Sequence, residues 1–154
     1  KVGAVLEAVG DLSGARVMFE ESLALRRQLR QAQPGAVGPV QDLASSLQIV
    51  GDLLEVAGDS SALELRMEER QLRDSVFGVL RDYQSALAWV RCDLAIDRLL
   101  REYLGGERGE SMPSWYGDLL KELQSLLVGL DKARPLEDDL RDELQRVRRA
   151  LAQM

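Results

Sequence analysis

The chain has no histidine. That removes the commonest general base near neutral pH, the Ser-His and Cys-His nucleophile pairs, and every imidazole metal site. Cysteine occurs once, at Cys92, so neither an internal disulfide nor a thiolate metal cluster can form. A reducing compartment, the cytoplasm, is the expected setting. No Asp-x-Asp-x-Asp-Gly calcium loop is present. Aromatic residues make up only 5% of the chain, which speaks against a β-rich fold. No apolar run approaches the roughly 18 residues of a membrane span, and no basic segment followed by an apolar stretch opens the chain as a secretory signal would. A cationic surplus is missing too: the net charge is −6, which disfavours nucleic acid and anionic membrane as partners. The 26 carboxylates leave an acid/base pair open on residue type alone. No spacing sets two of them in a cleft, however, so the expectation is a non-enzyme without cofactor or metal.

What is abundant points to helices. Leucine and alanine dominate, and charged residues of both signs make up 30%. A chain of 154 residues can bury one sizeable core, so residues 1–154 read as a single domain. Lys1 is not an initiator methionine and reads as lying inside a helix, so a piece of a longer protein, or a processed product, is expected.

The strongest internal signal is self-similarity. Val2-Gly3-Ala4-Val5-Leu6-Glu7-Ala8-Val9-Gly10-Asp11 reappears 48 positions later as Val50-Gly51-Asp52-Leu53-Leu54-Glu55-Val56-Ala57-Gly58-Asp59, with six of ten positions identical. A fixed period of that order signals stacked units, none able to bury its apolar face alone. Apolar spacing of 3–4 residues then sets the helices. The first ends at Val9, closed by Gly10-Asp11, where glycine supplies a left-handed C′ residue and the aspartate caps the next helix. The second runs from Leu12 to Gln31, with the stripe Ala15, Phe19, Ser22/Leu23 and Leu25/Leu29. Pro34 to Pro39 interrupts, and a third helix spans Val40 to Ala57. Gly58-Asp59 repeats the earlier turn before a helix from Ser60. A break is expected near Gly78, because an unbroken helix to Leu104 would be unusually long. Gly105-Gly106 closes the next helix, and Glu107–Met112 is a loop. Gly105–Ser111 lacks the lysine and the preceding strand of a phosphate-binding loop, so it reads as an interhelical connection, with exposed glycines open to proteases. Pro113 prepares a helix lined by Leu119, Leu120, Leu123, Leu126, Leu127 and Leu130. Pro135 opens the last, with Leu136, Leu140, Leu144, Val147 and Leu151 on one side. Arg26, Arg27 and Arg30, like Arg146, Arg148 and Arg149, sit where positive charge suits a helix C-terminus. Trp89 and Cys92 read as core, and Trp115-Tyr116 as a packing pair at a helix start.

These residues resemble the tetratricopeptide repeat (TPR) family, whose pattern includes Leu-Gly-x-x-Tyr on one helix and Ala-x-x-x-Phe on the next. Val2-Gly3, Leu6, Ala15 and Phe19 fill the pattern in the first unit. Leu47 takes the family's Trp position in the second, followed by Val50-Gly51 and Leu54. Arg27 stands at the closing Pro, Ala62 falls one position early, and Met67 replaces the Phe. Asp97 and Arg98 stand where a third unit would carry Leu-Gly. The period resembles that of the long-helix variants in kinesin light chains. The match is clear over residues 1–72. The resemblance implies an all-α, right-handed solenoid of about seven helices in stacked antiparallel hairpins: repeat 1 over 1–38, repeat 2 over 39–78, a degenerate repeat 3 over 79–132, and a C-terminal capping helix over 135–154.

It also implies a scaffold or interaction module whose concave groove binds a partner peptide or helix. Carried over by position, the groove is Ala4, Glu7 and Ala8, continued by Ser45, Gln48, Ile49, Asp52, Glu55 and Val56. No basic residue lies between Gln31 and Arg66, whereas Asp42, Asp52, Glu55 and Asp59 do, so a basic partner is expected. The alternative is an ordinary solvated helix face. Two further functional readings stay open: a regulatory or substrate fragment of a larger, bacterial-type signalling or defence assembly, sequestered or cleaved there, and a self-associating helical domain.

Overall fold

A computed structural model describes residues 12–104 and 112–154, and among these residues it contains six α-helices and no strand. They are α1 (Leu12–Ala32), α2 (Val37–Val56), α3 (Ala62–Leu80), α4 (Tyr83–Leu104), α5 (Tyr116–Ala133) and α6 (Asp138–Ala152). The all-α expectation holds. The helix expected over residues 1–9, the Gly10-Asp11 turn and the Gly105–Ser111 loop lie outside the described residues. Among the described residues, no helix is long and apolar enough to cross a membrane. The chain divides into two compact units, Lys1–Leu72 and Arg73–Met154.

In the first unit α1 packs against α2. The core takes Ala15 and Leu23 from α1, Leu43, Ala44, Leu47 and Val50 from α2, and Ala62 and Leu72 from α3. The stripe expected on α1 is therefore only half right. Phe19 is half-buried, but Leu25 and Leu29 are exposed. The helix carries more apolar residues than one face can hide, and Ala15, Phe19 and Leu23 already fill the 4-4 row that meets α2. Helix α2 starts earlier than expected, at Val37, with Pro39 inside its first turn. The missing N–H there belongs to the first four, which have no partner within a helix.

The expected turn after α2 is present. Gly58 has φ +72, a left-handed conformation that glycine adopts without a Cβ penalty. Its N–H donates to the Glu55 carbonyl, and that of Asp59 donates to the Leu54 carbonyl, the paired bonds of a Schellman motif. The Asp59 carboxylate then accepts from the Ser61 N–H at 2.9 Å and the Ser61 hydroxyl at 2.6 Å. Arg16 of α1 reaches the same carboxylate. The Ser61 hydrogen bonds, hydroxyl first, and Arg16 together hold the Asp59 pKa below the ordinary carboxylate value. Arg27 does not serve its own helix end. It forms a two-point pair with Glu68 of α3 at 2.9 and 2.6 Å, the fork geometry that makes arginine suited to carboxylates.

In the second unit α5 packs against both α4 and α6. Leu119, Leu120, Leu123 and Leu127 of α5 are fully buried among Val90, Ile96 and Leu99 of α4 and Val147 of α6 in that unit's core. Trp89 is buried and meets Phe77 at 5.8 Å between ring centroids, and Cys92 is buried as expected. Tyr116 is buried and Trp115 half-buried at the start of α5. Pro135 does not open α6. The helix begins at Asp138, and the preceding Leu136 is already packed, its N–H held by Asp131 at 3.2 Å.

The break expected near Gly78 is present: α3 ends at Leu80 and α4 begins at Tyr83, while Gly78 itself stays helical in open space. Arg81 takes φ 51, and Asp82 caps α4 by accepting from the Ser85 N–H at 2.8 Å. The aspartate cap thus sets the boundary, and the residue before it bears the strain. Replacing Arg81 by glycine is expected to stabilise the chain by about 0.5–1 kcal/mol, the left-handed penalty exceeding the entropy that glycine adds to the unfolded state. A thermal midpoint that fell instead would contradict this account of the boundary.

A candidate interaction face on α2

The residues expected to form a groove share one side of α2. Ser45, Gln48, Ile49, Asp52, Glu55 and Val56 are spaced 3-1-3-3-1, so they line a single helix face. Ser45, Gln48, Ile49, Asp52 and Val56 are exposed there, with Ile49 at 60% and Val56 at 85%. The opposite side of the same helix carries Leu43, Leu47 and Val50 into the core. Ala4, Glu7 and Ala8 lie outside the described residues.

Glu55 departs from the pattern, because its carboxylate turns to a cation from α3. Arg66 is 3% exposed. Its guanidinium donates to Asp52, to Glu55 at 2.6 and 3.0 Å, to Glu69 at 3.3 Å, and to the Gln48 carbonyl at 3.3 Å. Burial works against the charge of Arg66, but the hydrogen bonds to Asp52 and Glu55 prevail and raise its pKa above the ordinary arginine value. The reading of Asp52 and Glu55 as acidic groups awaiting a basic ligand therefore changes. Both already hold an internal cation.

Gly51 has a related role. The resemblance makes this position a close helix crossing, and here the close neighbour is Arg66 itself. A Cβ on Gly51 would lie 3.0 Å from the guanidinium carbon and 3.1 Å from Nε. The absent side chain makes room for a buried arginine. Sequence reasoning missed Arg66 and Glu69. The available signal was their register: at 3–4 residue steps they fall in line with Ala62 and Leu72/Arg73, on the inward side of α3.

A second polar centre lies in the other unit. Asp97 of α4 is fully buried. It accepts from the Tyr116 hydroxyl of α5 and from Arg146 of α6 at 2.6 Å, with Arg101 at 3.4 Å. Arg146, expected to serve its helix end, thus crosses to another helix. Burial and then the bond to Asp97 raise the Tyr116 pKa above 10.0. Asp97, in the Leu position of the expected third repeat, joins α4 to α5 and α6 as a structural hub. Among the described residues, no three His, Cys, Asp or Glu side chains are grouped to hold a metal.

Comparison with family models, with curated proteins and with solved structures finds no match to this chain.

Proposed function

We propose that the chain is a protein-interaction module built as a TPR-like right-handed solenoid, binding a partner peptide or helix along the outward face of α2. The observation that carries the reading is the pair Ile49 and Val56, 60% and 85% exposed, seven residues apart on one face between Ser45, Gln48 and Asp52. Two apolar side chains on one stripe, flanked by hydrogen-bonding groups, make an anchor-and-rim pattern suited to a helix or an extended segment. The glycine-closed turn between α2 and α3 also supports the hairpin reading. Affinity would come from shape and apolar contact more than charge, since Arg66 occupies both nearby carboxylates.

Ile49→Asp combined with Val56→Asp tests this. Exposed positions of this kind cost within about 0.5 kcal/mol of stability. Capture of the partner from source lysate should vanish while the thermal midpoint holds. Unchanged recovery would remove the α2 face from consideration. Reversing Asp52 and Glu55 would be a poorer test, because it also strips Arg66 of its acceptors.

A second reading, self-association, draws support from Met18, Leu25 and Leu29, which leave an apolar strip of α1 exposed. Light scattering on the intact chain separates the two, since a stable dimer is required by one and not by the other.

A further inference from the structure

From the first unit we infer a second binding site, on the side of α2 opposite Ile49 and Val56: a cleft that takes the apolar side chains of a basic, amphipathic helix. The cleft has a volume of about 300 Å³. Phe19 and Leu23 of α1, Val50 and Leu54 of α2, and Leu65 of α3 make its apolar lining. This is the lower end of the size range of ligand pockets, roughly 300–1,000 Å³. It admits side chains and keeps a peptide backbone outside.

Its two ends are built alike. Arg16 joins α1 to Asp59 and Ser61 at one end, and Arg27 joins α1 to Glu68 at the other. Both arginines also line the cleft. They stand eleven residues apart, about 16 Å along a helix axis, so the trough between the two clamps is three turns long. That length suits a helix laid along it with anchors at successive turns.

The charges choose the kind of helix. Glu20 and Glu64 line the same cleft and are exposed. Arg16 is already met by Asp59 and Glu20, and Arg27 by Glu68. The walls and their partners therefore carry four carboxylates against two guanidiniums. A lysine- or arginine-bearing helix meets this rim favourably and an acidic one does not. The inference is independent of the proposed role of the outward α2 face, because Val50 and Leu54 lie on the other side of that helix.

The test uses the full chain and two synthetic 15-residue amphipathic helices. One carries leucine on its apolar face and lysine elsewhere, and the other has glutamate in place of every lysine. Methyl NMR is read at Leu23, Val50, Leu54 and Leu65, and separately at Ile49 and Val56. The lysine peptide is expected to shift the first group in a saturable way and leave the second unmoved, while the glutamate peptide shifts neither. Glu20→Lys with Glu64→Lys changes only exposed side chains and should weaken lysine-peptide binding by about ten-fold or more with the fold intact by circular dichroism. Equal binding of the two peptides, shifts confined to Ile49 and Val56, an unchanged dissociation constant in the double variant, or no saturable binding of the lysine peptide would each overturn the inference.

Discussion

Asp97→Ala is expected to lower the stability of the unit containing α4, α5 and α6 by roughly 3–5 kcal/mol, the scale of breaking a buried ion pair by removing one partner. The loss is large because one side chain serves three helices. Removing it takes away the acceptor of the Tyr116 hydroxyl and the cross-helix partner of Arg146 at 2.6 Å. By contrast, the exposed pair Arg141–Asp138 belongs to the class worth about 0–1 kcal/mol. Urea unfolding is the measurement. Asp97→Asn keeps an acceptor for Tyr116 but loses the charge that Arg146 meets, so it should fall between wild type and Asp97→Ala. A midpoint shift in Asp97→Ala no larger than in Asp138→Ala would refute the hub. The same centre predicts an alkaline limit. The phenol of Tyr116 has a raised pKa in the folded chain, through burial first and the Asp97 bond second. Its stabilising contribution is therefore complete below pH 10.0 and is lost as pH rises through the folded value. In an ultraviolet titration one tyrosine should ionise late, and Tyr116→Phe should abolish that step.

Arg66→Met should cost a comparable amount, about 3 kcal/mol or more, because it withdraws the guanidinium from the buried Glu69 and from Glu55 while keeping most of the volume. Gly51 supplies the more diagnostic experiment. Gly→Ala inside a helix gains up to about 1 kcal/mol from propensity, whereas overpacking costs about 1–3 kcal/mol. Arg66 is held by several acceptors and cannot retreat freely from a Cβ at 3.0 Å. Gly51→Ala should thus be neutral to destabilising in the native chain. In the Arg66→Met background the flexible methionine yields, and the same change should stabilise by about 1 kcal/mol. If the sign does not differ between the two backgrounds, Gly51 is not there to admit the arginine.

Much of the architecture could be read from local chemistry. The rows of α5 and α6 were legible because a leucine or valine stands at nearly every inward step. The Gly58-Asp59 turn was legible because a C′ glycine followed by a capping aspartate completes its own hydrogen bonds. The α3–α4 break was legible to within a few residues, but not the residue that makes it, since a left-handed arginine gives no composition signal. Leu25 and Leu29 misled because periodicity alone cannot say which of two apolar rows a helix hides. The candidate face was half legible. Register put Ile49 and Val56 on one exposed side, but the fate of Asp52 and Glu55 depended on Arg66, 14 and 11 residues away. Arg146 and Asp97 are 49 residues apart. A charge at an inward step reads as solvated until its partner is known, and that partner is set by tertiary packing.

The connection from α2 to α3 works as a fixed-length fastener, because Asp59 ties α2's end to Ser61 and Arg16 at once. A spacer or fluorescent label placed there would pull the fastener open. The Gln33–Gly35 corner carries no such side-chain tie and is exposed, with open space around Gly35. With Cys92 buried, a single cysteine introduced at that corner offers a selective attachment point that leaves both faces of α2 clear.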